Sequence, residues 1–114
     1  MKFSDFRRLV LRARSSCRRF DPSYRLTKQE QDFLIRSIDC GPSAGGIRAY
    51  SIWHESSPGK KKKIQEAALD QKFISNSSLI FCICADPKKS QEKYGDRGSL
   101  YAIQDATIAG MCIT

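Results

Sequence analysis

Two stretches of this chain have the make-up of β-strands, Ala49 to Glu55 and Ser78 to Ala85, and two strands do not make a self-sufficient sheet in water. The first is rich in β-formers, with Tyr50, Ile52 and Trp53; the second is a compact apolar run closed by Asp86-Pro87. Most of the remaining apolar pattern has helical spacing, in the order helix, helix, strand, helix, strand, helix. Such a chain is expected to supply part of a sheet whose other strands come from further sequence, from a partner subunit, or from both.

At 114 residues the chain suits a single small domain, here taken as residues 1–114, and 40% hydrophobic with 28% charged residues is a composition that folds. Its net charge of +8 favours anionic partners, without choosing among phosphate-bearing cofactors, nucleic acid and acidic membrane. There is no run of about eighteen apolar residues, and the basic N-terminus lacks the apolar core of a secretory signal. A cytoplasmic location and no membrane partner are therefore expected. The five cysteines, Cys17, Cys40, Cys82, Cys84 and Cys112, are odd in number and form no C-x-x-C pair. Reduced, mostly buried thiols are expected, and no metal site.

The helical pattern is most legible at four places. Residues 5–15 carry Phe6, Leu9, Val10 and Ala13 on one face with Ser4 as a candidate N-cap, and this helix would deliver Arg14 to its end. Thr27 and Glu30 have the capping-box spacing that opens a helix through Leu34, Ile35 and Ile38 and stops at Cys40-Gly41-Pro42. After a turn at Ser56 to Gly59, Lys60 to Leu69 reads as a basic helix with Ile64, Ala67 and Ala68 inward. Lys88 to Gly98 reads as a polar connection to a last helix with two apolar faces, Leu100-Ile103-Thr107-Gly110 and Tyr101-Asp105-Ile108-Cys112. That pattern continues into Met111-Cys112-Ile113-Thr114 without a C-cap, so the helix is expected to continue in a longer protein.

Two segments carry chemistry. Arg14-Ser15-Ser16-Cys17-Arg18-Arg19-Phe20-Asp21 offers guanidinium and hydroxyl donors, the groups that hold a phosphate. Gly41-Pro42-Ser43-Ala44-Gly45-Gly46 lets backbone approach a flat ligand closely. The order and spacing of these segments resemble the N-terminal part of the FMN-dependent nitroreductase family. The resemblance extends through Gln71-Lys72-Phe73-Ile74, Cys84-Ala85-Asp86-Pro87, and Lys93-Tyr94-Gly95-Asp96-Arg97-Gly98 leading to Tyr101-Ala102-Ile103-Gln104-Asp105.

The resemblance implies an α+β fold, a central, mainly antiparallel sheet flanked by helices, incomplete here at the C-terminus because the family's chains run on past the position of Thr114. It implies an intertwined homodimer with FMN at the interface. Arg14, Ser15, Ser16 and Arg18 would face the FMN phosphate, and Pro42, Ser43, Ala44, Gly45 and Gly46 would lie along the isoalloxazine ring. The flavin would take hydride from NADH or NADPH and pass it to a small-molecule acceptor of the nitro, quinone or enone class, with no catalytic side chain required.

Two other readings belong to different classes. One is a truncated, non-catalytic remnant that binds flavin or another phosphate ligand, with apolar surface exposed between Ile103 and Ile113. The other is a small basic nucleic-acid-binding module, for which Lys60-Lys61-Lys62-Lys63 is the signal. That run lacks the interleaved aromatics of a single-strand binder and reads as a solvated helix face, so nucleic acid is not an expected partner.

Overall fold

The computed structural model describes residues 2–9 and 14–114. Helix α1 is Phe3–Arg7; the rest of the expected helix over 5–15 falls partly on residues 10–13, outside the described residues, together with Val10 and Ala13. Ser4 lies inside α1 and is not its N-cap: Lys2 occupies that position with no side-chain hydrogen bond. Arg14 and Ser15 are in irregular, exposed chain and not in a helix.

Helix α2, Lys28–Ile38, begins where its sequence says it should. The Thr27 hydroxyl accepts from the Glu30 amide and the Glu30 carboxylate accepts from the Thr27 amide, which satisfies two of the helix's otherwise unpaired groups. Its inward residue Ile38 is fully buried.

Strands β1, Tyr50–Glu55, and β2, Ile80–Ala85, pair antiparallel from Tyr50↔Ala85 to Glu55↔Ile80. Because side chains alternate along a strand, Tyr50, Ile52, Phe81 and Ile83 share one face, and this is the face that packs with Ile38 and Ala109 to form the core. The other face presents Trp53, Cys82 and Cys84, beside the start of helix α3, Pro58–Ala67. Ser57 is the N-cap residue and Pro58 the first residue of that helix, so the expected turn at Ser56–Gly59 is where it begins. Its buried residues are Lys61 and Gln65; of the residues expected inward, Ile64 and Ala68 are half-buried on that side, whereas Ala67 is exposed.

Two helices escaped the periodicity. Helix α4, Phe73–Asn76, is one turn long, and α5, Pro87–Tyr94, is almost wholly polar. Helix α6, Gly98–Met111, buries Gly98, Ala102, Asp105 and Ala109, a face of mostly small residues of which only Asp105 belonged to an expected stripe. Smallness is what the packing needs: a Cβ on Gly98 would stand 2.5 Å from the Gln91 backbone nitrogen of α5, and one on Gly41 would stand 2.7 Å from Ile108 Cγ2. The Leu100 and Ile103 stripe is exposed, each residue at 56%.

The cysteines are all free, with Cys17, Cys40 and Cys84 exposed and Cys82 and Cys112 half-buried, so the expectation of mostly buried thiols is corrected. Among the described residues, no helix is long and apolar enough to cross a membrane.

Candidate functional site

The glycine loop joins α2 to β1 as a single turn of 3-10 helix, Ala44–Gly46. Gly45 and Gly46 are both left-handed, at φ 60° and 69°. Gly45 lies under α5: a Cβ there would collide with the Tyr94 hydroxyl and stand 2.9 Å from Lys93 Nζ. Gly46 is different, since a Cβ would meet no atom within 4 Å. Left-handed backbone favours glycine at both positions; the first faces side-chain ends from the helix above the loop, and the second turns bare backbone toward open space.

Several polar groups fix the loop's course. The Ser43 hydroxyl accepts from the Arg48 amide at 2.9 Å, and the Arg48 guanidinium donates to the Asp39 carbonyl at 3.0 Å. The Asp105 carboxylate reaches from α6, with Oδ1 accepting from the Ala44 amide at 2.9 Å and Oδ2 from the Ala49 amide at 3.1 Å. Beyond the loop, the Tyr50 hydroxyl donates to Asp39 Oδ1 at 2.8 Å. Burial first, and the Asp39 carboxylate second, push that phenol up to about 12, so Tyr50 is a fixed neutral donor.

The arginine segment is placed elsewhere. Arg14, Ser15, Ser16 and Arg18 are exposed in extended chain, and the Arg18 guanidinium lies 5.9 Å from the centre of the Phe73 ring on α4. Phe20 leans on the same ring at 6.4 Å. Behind this segment, Arg19, Phe20, Tyr24 and Leu26 form a cavity of about 370 Å³ with Ser77 and Leu79. No hydrogen bond or aromatic contact among the described residues joins Arg14–Arg18 to Pro42–Gly46.

The basic run offers less than its sequence suggests. Lys60 pairs with the Glu55 carboxylate at 3.2 Å, and Lys61 is 4% exposed and donates to the Ser77 carbonyl at 2.6 Å. Burial holds the Lys61 ammonium below its usual range. Only Lys62 and Lys63 of the four remain as exposed ammonium groups without these ties.

Asp105 stands in the expected Tyr101-Asp105-Ile108-Cys112 stripe, but nothing in the sequence names the Ala44 and Ala49 amides as its donors. A signal was present: Ala102, Asp105 and Ala109 recur at helical spacing, and a carboxylate in a row of alanines is a buried acceptor looking for donors.

No protein-family model matches the chain. It is 30% identical over 73 residues to the FMN reductase (NADPH) of Bacillus subtilis, a match covering 64% of this chain and 29% of that protein. Among solved structures, the NfrA1 nitroreductase from B. subtilis superimposes with a TM-score of 0.77 at 25% identity, over 88% of this chain and 45% of that one. The NADPH:FMN oxidoreductase from Vibrio harveyi, solved in complex with NAD+, superimposes at 0.76 with 17% identity, over 89% and 46%; at that identity the likeness is one of fold. The chain thus spans less than half the length of each of these relatives.

Proposed function

From the chain's place in the FMN-dependent nitroreductase family, over the part of the fold that it covers, we infer that it contributes an FMN site to an NAD(P)H-using oxidoreductase. The observation that carries this reading is the glycine loop, whose backbone is held at both ends while Gly46 leaves its outer side open to a flat ring. The residues present fit the cofactor. Arg14 and Arg18 are exposed cations able to make charge-assisted hydrogen bonds to a phosphate dianion, and Ser15 and Ser16 add hydroxyl donors in the same segment. Ser43 spends its acceptor on Arg48, so the shelf itself is chiefly main chain from Pro42 to Gly46.

When bound, FMN supplies the hydride chemistry between NADH or NADPH and a small acceptor of the nitro, quinone or enone class. The protein's part is to anchor the phosphate, hold the ring against the loop and keep one ring face accessible. In keeping with the interface site that the family resemblance implies, the site is proposed to form between two copies, the arginines of one chain serving the shelf of the other. A homodimer in the cytoplasm follows as part of the proposal.

The test is a titration of the chain with FMN, read by quenching of flavin fluorescence. Saturable binding that weakens in Arg14→Ala and Arg18→Ala supports the reading; no binding, or binding indifferent to both changes, overturns it. A second reading, a non-catalytic flavin- or phosphate-binding protein, draws on exposed Ile103 and Met111, which lie in the Ile103–Ile113 span where that reading expects apolar surface, although Ile108 and Ile113 are half-buried. Oxidation of NADPH by the flavin-loaded chain separates the two.

A further inference from the structure

Buried carboxylates need donors, and Asp105 takes both of its own from the glycine loop. We propose that Asp105 is the positioning residue of the flavin shelf, fixing the path of Ala44 to Ala49 from the side opposite the ligand; this rests on the function proposed above.

The carboxylate is 2% exposed, and among the described residues no Lys or Arg pairs with it. Its partners are the amides of Ala44 and Ala49, which bracket Gly45, Gly46 and the left-handed Arg48. Left-handed backbone is free for the two glycines but costly for Arg48, and such a shape persists where its surroundings over-determine it. Charge-assisted bonds to both ends supply that determination. Helix α6 is itself pinned, through Gly98 against α5 and through Ala109 against the sheet core, so the brace stands on a rigid support. The loop's shape is therefore set by a residue far along the chain and not by its own sequence alone.

The experiment compares the wild-type chain with Asp105→Asn and Arg18→Ala by three readouts: amide hydrogen exchange at Ala44 and Ala49 without flavin, FMN affinity, and the visible absorption spectrum of bound FMN. In Asp105→Asn, whose amide offers one acceptor in place of two, both amides should exchange at least about tenfold faster. FMN affinity should fall about tenfold and the bound spectrum should shift, since the ring sees a different shelf. Arg18→Ala should lose affinity with both amides and the spectrum unchanged. If Asp105→Asn does not fold, Asp105→Glu, which keeps the charge on a longer arm, is read the same way. Faster exchange with unchanged affinity and spectrum would overturn the Asp105 assignment while leaving the function standing. A wild-type chain that binds no FMN would overturn the function and the assignment together.

Discussion

At Gly45 and Gly46 two neighbouring residues lack a side chain for different reasons, and substitution should separate them. Gly45→Ala puts an alanine in left-handed backbone beside the movable ends of Tyr94 and Lys93, and should destabilise the chain by about 1–2 kcal/mol in denaturant unfolding. Gly46→Asn places a residue that tolerates left-handed backbone where there is open space, and should change stability by no more than about 0.5 kcal/mol. At the phosphate end, Arg18→Ala should weaken FMN binding by about 1.5–3 kcal/mol, the usual loss for a hydrogen bond to a charged group. The Thr27 and Glu30 cap could be read from the sequence because its two partners are three residues apart. The Asp105 brace could not, because its donors lie 56 and 61 positions away and only the fold brings them near.

Elements with an apolar pattern or a capping signal were legible, and those without were not. Strand β1 declares itself by its β-formers, β2 by a compact apolar run and helix α2 by a capping box, whereas α5 has no inward apolar stripe and buries only Ser90. Its signals were the Asp86 cap, accepting from the Lys89 amide, and Pro87 at the first helical position, both of which also fit the end of a strand. The α5–α6 contact depends on closeness, so Gly98→Ala, which sets a methyl group against the Gln91 backbone, should cost about 1–3 kcal/mol. The β1–α3 junction should be acid-sensitive. The Ser56 and Ser57 amides and the Lys60 ammonium all donate to the Glu55 carboxylate, and the Ser57 bonds lead in drawing its pKa from 4.5 down to about 2. A folded-state value below the unfolded one means stability that is complete above pH 4.5 and lost as pH falls toward about 2. Glu55→Gln should flatten that loss in unfolding curves recorded across the same window.

The molecule as a whole keeps its core small and its faces open. Among the described residues, Ile38, Ala49, Tyr50, Ala102 and Ala109 are the buried hydrophobic ones, while Leu100, Ile103 and Met111 on α6 and Trp53 on the sheet's second face are more than half exposed. The radius of gyration is 16.4 Å, against about 13 Å for a compact chain of a hundred residues. The two-stranded sheet, which the sequence already marked as too small to stand alone, is in keeping with this breadth. If two copies cover the α6 face, Ile103→Glu should move the chain to monomer size on gel filtration and lower FMN affinity with it, because a charge buried in an apolar contact is costly. The central claim, that two copies build one kind of flavin site from the arginine segment and the glycine loop, is tested most directly by sedimenting the chain with FMN and following flavin absorbance. Flavin travelling with a dimer is the predicted result. Flavin that stays free beside folded protein, or that travels with a monomer, would contradict the account.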